Sequence, residues 1–416
     1  MRPPKGWTIV RFGDVTRIGE GQVSPLVEPF AGFPHIGPEN IESGTGRIVD
    51  VRSAGELELI SGKYEFDEEA LVYSKIRPNL NKVCWPKFRG VCSADAYPIW
   101  ADGRVMRTGF LAYAMRDERF VRQATACSMR SGMPKINREE LADLELWAPP
   151  VDEQEEIEQL LAGWDKAVGV CSEIRERALV RKVGLMQQLL TGRVRFKAFV
   201  KSDGKVTTHF GPFPADWPVV SFGDIADEVG EKSSDGKQLP VLSCTKHRGL
   251  VNSLEYFGKR IFSEDTSTYR IVRRGDFAYA TNHIEEGSIG YQNLHDIALI
   301  SPMYTVFRTR AGVDHSFLFK LVKTELYRHM FEVNTNGSIN RRGALRWDDF
   351  ARIKVHLPGE PEQKRIAEVL GTCDREIELL QKQLDALKDQ RRGLMHKLLT
   401  GESRVKAESR KRKAEI

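Results

Sequence analysis

The 416-residue chain lacks the features that would tie it to a membrane or to a disulfide framework. No window approaches 18 consecutive apolar residues, which excludes a transmembrane helix. Met1-Arg2-Pro3-Pro4-Lys5-Gly6-Trp7 has no apolar core and does not read as a secretory signal. Cys84, Cys92, Cys127, Cys171, Cys244 and Cys373 are scattered without a Cys-x-x-Cys pair, which fits free thiols in a reducing cytoplasm. No Cys/His group has the spacing of a zinc site.

Catalytic signatures are missing as well. No Gly-x-x-x-x-Gly-Lys-Ser/Thr occurs, so a phosphate-binding loop for ATP hydrolysis is not expected. No Gly-x-Gly fingerprint follows a strand. The nearest approach to an amino-methyltransferase loop, Ser301-Pro302-Met303-Tyr304, lacks both its amide or acid and its second proline. There is no Gly-x-Ser-x-Gly elbow, and the histidines are dispersed. The expectation is a noncatalytic chain with no cofactor or metal of its own. A metal-dependent nuclease built from scattered Asp and Glu is the alternative left open.

Charge of one sign is also scarce. There are 63 Lys and Arg against 58 Asp and Glu; residues 1–151 hold 20 of each, and residues 193–359 hold 24 and 19. Any polyanion partner must therefore be met by local patches.

What the chain does have is a repeat with a period near 209 residues, as from Glu153 to Glu362. Trp7-x-x-Val10-x-Phe12-Gly13-Asp14-Val15 returns as Trp217-x-x-Val220-x-Phe222-Gly223-Asp224-Ile225. Ile136-Asn137 returns as Ile339-Asn340. Glu153-Gln154-x-x-Ile157-x-x-x-Leu161-x-x-x-Asp165 returns as Glu362-Gln363-x-x-Ile366-x-x-x-Leu370-x-x-x-Asp374. Each half closes on Leu-Leu-Thr-Gly, at 189–192 and 398–401.

Each half reads as a mixed α+β globular region followed by one long helix. In the second helix, steps of four and three pick out Ile366, Leu370, Cys373, Ile377, Leu380, Leu384, Leu387, Arg391, Leu394 and Leu398, apolar at every place but Arg391. In the first, the seam runs through Ile157, Leu161, Trp164, Val168 and Cys171. It is then expected to shift register through Ile174, Leu179, Val183, Met186 and Leu190, a stutter. Two such narrow seams predict an antiparallel coiled coil with pseudo-twofold symmetry. Glu153-Gln154 and Glu362-Gln363, in a first turn, are expected to cap the helix and complement its dipole. Strands are expected at 70–73, 97–100, 275–279 and 304–307, and helices at 110–115 and 317–322. The divisions expected are 1–151, 152–192, 193–359, 360–401 and a basic tail at 402–416.

Basic residues cluster in acid-free windows. Residues 70–94 hold Lys75, Arg77 and Lys82 beside Asn79 and Trp85; residues 120–138 hold Arg130 and Lys135; residues 333–347 hold Arg341 and Arg342. Lys246-His247-Arg248 adds a short basic turn. Lys and Arg suit phosphates, and Arg and Asn suit base edges, so these residues are candidate contacts to double-stranded DNA.

The whole layout, with Pro-Pro-x-x-Glu-Gln-x-x-Ile opening a helix that ends in Leu-Leu-Thr-Gly and the unit repeated, resembles the specificity subunit of type I restriction–modification systems. Tyr73-Ser-Lys-Ile-Arg-Pro-Asn-Leu-Asn-Lys82 is similar to that family's recognition segments. The resemblance covers residues 7–406. The second helix departs from it, opening Pro358-Gly359-Glu360-Pro361. The resemblance implies two recognition domains, each reading half of a split DNA site, held apart by helices about 55 Å long at ~1.5 Å per residue. It also implies methyltransferase subunits, two in number, using S-adenosylmethionine, and restriction subunits using ATP and Mg2+. A standalone DNA-binding adaptor is the other noncatalytic reading.

Overall fold

The structure, a computed structural model, describes residues 2–128, 133–208, 211–233, 239–335 and 344–405. It divides into two compact units. One comprises residues 1–172 and 382–416, the other residues 173–381. Each therefore contains a globular region, the start of one long helix and the end of the other.

The four-stranded sheets of the two globular regions repeat one another in strand order, and the second region adds a hairpin, Lys205–Thr208 with Gly211–Pro214, that has no counterpart among the described residues of the first. In the first, one four-stranded sheet has the order Thr16–Ile18, Ala96–Ala101, Leu71–Ser74, Val83–Cys84. A second has the order Arg52–Ser53, Pro34–Ile36, Gly90–Cys92, Tyr64–Phe66. In the second unit the corresponding orders are Ala226–Glu228, Tyr304–Thr309, Phe277–Ala280, Ile289–Tyr291 and Gly249–Asn252, Val241–Thr245, Ile297–Ile300, Arg270–Arg273. Even the one parallel pairing recurs, His35 with Val91 and Val241 with Leu299. The expected helices are present as Thr108–Arg116 and His315–Val322, each followed by another, Glu118–Cys127 and Glu325–Thr335.

Phe-Gly-Asp makes a single helical turn in both units, Phe12–Val15 and Phe222–Ile225, with the phenylalanine fully buried. Its glycine is there for close approach. A Cβ on Gly13 would lie 2.8 Å from Ala142 Cβ, and one on Gly223 would lie 3.3 Å from Ala351 Cβ.

The long helices are Val151–Leu189 and Glu360–Thr400, each about 60 Å at ~1.5 Å per residue. Gly192 and Gly401 follow them in the left-handed conformation, φ 67°, where glycine alone is unstrained. Within each unit the two helical segments run antiparallel. In the first unit, Ile157 and Leu161 share a core with Met395 and Leu398, and Arg391 Nε donates to Asp165 Oδ1 at 2.5 Å. In the second unit, Leu189 and Leu190 share a core with Ile366 and Leu370, and Lys182 pairs with Asp374 at 2.6 Å.

The expected stutter is not found. Ile174 and Val183 are exposed, whereas Cys171, Ala178 and Leu189 are buried and keep the four-three spacing through Arg175 and Lys182. The pattern misled because Lys182 occupies a seam position with its charge neutralised by Asp374. Arg391 does the same on Asp165, so the one polar seam residue of the second helix has a counterpart in the first. Among the described residues no helix is long and apolar enough to cross a membrane.

Candidate nucleic-acid interface

The Glu-Gln pair that opens each long helix does more than cap it. Gln154, fully buried, accepts from Arg107 N at 2.8 Å and donates to Val105 O and Pro149 O, both at 2.8 Å. Gln363, equally buried, accepts from Asp314 N at 2.9 Å and donates to Gly312 O at 3.0 Å and Pro358 O at 2.8 Å. Each amide thus ties its helix to the loop that enters the first helix of the globular layer.

The glutamate beside it builds a clasp. Trp217 Nε1 donates to Glu362 Oε2 at 3.1 Å, and Arg195 donates from Nε and Nη2 to the two oxygens of Glu362, both at 2.9 Å. In the first unit Trp7 Nε1 donates to Glu153 Oε2 at 3.1 Å, and Arg404 donates to the same carboxylate at 2.6 and 2.7 Å. Each arginine also lies over its tryptophan ring, 5.6 and 5.7 Å from the centroid. These residues fasten the scaffold from which the loops project.

In the first unit the two acid-free windows come together. Ile76 bridges Lys135, Arg77 N donates to Pro134 O at 2.8 Å, and Ile136 N donates to Lys75 O at 3.0 Å. Arg77 and Asn81 take left-handed φ of 47° and 51°, and Lys87 takes 59°, conformations that a non-glycine residue holds only under constraint. Arg77, Asn79 and Lys135 are exposed. Lys75 is buried beneath them, its Nζ 5.1 Å from the Tyr97 centroid, and burial followed by the charge of Lys135 lowers its pKa. Lys82 Nζ donates to Pro38 O at 2.5 Å. Arg138 stacks over Tyr97 and Tyr64 at 4.7 and 5.4 Å and leaves Nε buried without a partner. Arg130 lies outside the described residues.

In the second unit Lys246, His247 and Arg248 form the exposed tip between strands Val241–Thr245 and Gly249–Asn252. The tip is anchored from below by Lys323. Its Nζ donates to Gly287 O at 2.5 Å, Lys246 O at 3.0 Å and Thr245 O at 3.4 Å, and burial lowers its pKa to about 8. In the first unit Arg116 takes this role, donating to Thr45 O at 2.5 Å and Ala112 O at 2.9 Å. Arg341 and Arg342 lie outside the described residues. Among the described residues His283, Glu285 and Glu286 bring ligand atoms within 4.8 Å of one another, but Glu286 is shared with Lys246 at 3.7 Å.

Sequence reasoning missed the clasps and the buried glutamines' loop contacts. One signal was available: Gly192-x-x-Arg195 and Gly401-x-x-Arg404 repeat beyond the Thr-Gly that ends each half.

Comparison with known proteins agrees with this layout. Residues 214–389 match the family model of the type I restriction modification DNA specificity domain. The type I restriction enzyme MjaVIII specificity subunit of Methanocaldococcus jannaschii is 24% identical, over 98% of this chain and 95% of that one. The EcoDI specificity subunit of Escherichia coli is 36% identical over 46% of this chain and 42% of its own length. Among solved structures, the type I restriction-modification S subunit from M. genitalium aligns with a TM-score of 0.57 at 14% identity, covering 96% of this chain and 99% of that one, and so shares the fold.

Proposed function

We infer that this chain, which belongs to the type I restriction–modification DNA specificity family, is the DNA-reading subunit of such a complex, each globular region addressing one half of a bipartite site. The observation that supports this most is the meeting of two acid-free windows at the Ile76–Lys135 bridge, which presents Arg77, Asn79 and Lys135 on one strained surface. Arginine and asparagine there suit base edges, and lysine suits phosphate.

The long helices set the spacer between half-sites and dock two methyltransferase subunits. Leu160, Val170, Ile174, Val180, Val183 and Leu379 are exposed apolar positions on them, more than an isolated coiled coil needs. The chain itself is noncatalytic and acts in the cytoplasm. S-adenosylmethionine chemistry belongs to the methyltransferase subunits, and ATP and Mg2+ to restriction subunits.

Methylome sequencing with and without the gene tests this reading. A bipartite methylated motif should vanish with the gene, and transplanting residues 193–359 from a relative should change one half-site only. A motif unaffected by deletion, or both half-sites changing together, would refute it.

A further inference from the structure

The second unit bares a run of large apolar side chains beside its basic hairpin. Leu254, Tyr256, Phe257 and Ile261 are between 41% and 57% exposed, and every residue from 254 to 261 is exposed. The run is built, with a defined geometry. Helix Ser253–Phe257 ends on Gly258 at φ 65°, and Tyr256 and Phe257 meet edge to face at 4.9 Å, each holding the other outward. Cations frame it. The Arg248 guanidinium lies 5.8 Å from the Tyr256 centroid, and Lys259 and Arg260 follow the glycine. The one acid inside the run, Glu255, accepts from Asn252 Nδ2 at 2.9 Å.

Exposed aromatics at this density suit a partner whose flat apolar faces can be opened to them, and the cationic rim suits a polyanion; duplex DNA offers both where a base step unstacks around an inserted side chain. We propose that helix Ser253–Phe257 and the Lys246–Arg248 tip form one duplex-DNA contact, in which Tyr256 and Phe257 press into the groove while Arg248, Lys259 and Arg260 hold the flanking phosphates. This rests on the DNA-reading assignment and adds to it the residues of one half-site. The tip is held in place by the three carbonyl contacts of Lys323. The contact belongs to the second unit alone. After the equivalent strand of the first unit, Arg52–Ser53, the chain runs Ala54-Gly-Glu-Leu-Glu-Leu-Ile60, with two acids and no aromatic ring.

The test uses the full chain assembled with its methyltransferase subunits, on duplex carrying the motif read from the wild-type methylome. Tyr256→Ala/Phe257→Ala should weaken specific binding about tenfold or more, with the salt slope kept, because the variant gives up the inserted rings and keeps its grip on the phosphates. Lys259→Gln/Arg260→Gln should instead lower the salt slope by about 1 for each phosphate no longer neutralised. Methylome sequencing should show relaxation or loss in one half-site only. Both pairs are exposed, so the melting temperature should stay at the wild-type value. Wild-type affinity and motif in the aromatic double variant would overturn the proposal, as would its failure to co-purify with the methyltransferase subunits, which would mark a protein-docking surface. A wild-type complex with no bipartite motif would instead bring down the DNA-reading assignment itself.

Discussion

The two clasps join the same residue types in different surroundings. In the second unit the side chains of Glu362 and Arg195 are 3% and 8% exposed, and Asp216 supplies a second carboxylate at 2.6 Å. In the first unit Glu153 is 11% exposed but Arg404 is 42% exposed, and its third contact is the Lys5 carbonyl at 2.9 Å. Bonding to Glu362 raises the Arg195 pKa, and bonding to Glu153 raises that of Arg404. A repeated motif therefore repeats geometry without repeating energy. The dry clasp leaves an uncompensated buried charge if either partner goes, whereas water can take the place of a partner in the open one.

Breaking each clasp should give the largest effect and the largest contrast. Arg195→Ala should destabilise the protein by about 3–5 kcal/mol, the usual cost of stripping one partner from a buried pair. Arg404→Ala should cost about 1 kcal/mol or less, as for partly exposed pairs. Urea denaturation of both variants measures the difference; equal losses would show that burial does not govern the clasps. The buried glutamines should remove the contrast. Gln154→Leu and Gln363→Leu each strand one backbone N–H and two carbonyls, so each should cost about 1–3 kcal/mol in the same assay, with no difference between units.

The Phe-Gly-Asp turns sharpen the comparison at a smaller scale. Gly13→Ala, whose Cβ would sit 2.8 Å from Ala142, should cost about 1–3 kcal/mol through overpacking, and Gly223→Ala, at 3.3 Å from Ala351, clearly less. Thermal melts of the two variants would rank them, and the reverse order would refute the packing argument.

A further effect expected is one of pH. The folded pKa of Lys323 lies near 8, below its ordinary value of 10.5, so between these values the unfolded chain binds more protons. This group therefore makes stability rise from about pH 8 to pH 10.5. Arg116, its counterpart, also has its pKa lowered by burial, but from the higher ordinary value of a guanidinium. Lys323→Arg should flatten the pH dependence of unfolding in that window. An unchanged slope would show that the lysine is not the source.

Much of this architecture could be read from the residues. The repeat located both globular regions, and heptad spacing located both long helices within a few residues, because seam positions such as Ile366 and Leu370 are apolar and buried as the pattern requires. The strands at 70–73 and 304–307 were visible through β-branched and aromatic residues, and appear as Leu71–Ser74 and Tyr304–Thr309. The stutter was misread because hydrophobicity is blind to an ion pair; Lys182 looks like a surface residue until Asp374 is beside it. The clasps were missed because their arginines lie 251 and 167 positions from the glutamates they hold, so that the repeated Gly-x-x-Arg marks the arginines without naming their partners. The surface at Tyr256 and Phe257 escaped notice because apolar residues are ordinarily assigned to a core.

The clasp also has a consequence for the order in which the protein is completed during synthesis. The second unit is one unbroken stretch, residues 173–381, and Arg195, Asp216 and Glu362 all lie within it. The first unit begins to emerge at residue 1, yet its clasp waits for Arg404, 251 residues after Glu153. The second clasp has its last residue at Glu362, 42 positions before Arg404, so at ~5–20 residues per second it has a lead of roughly 2–8 s in which to close first. The region translated first is thus the last to be finished, and a ribosome that stops short of Arg404 releases a chain with one unit clasped and the other open.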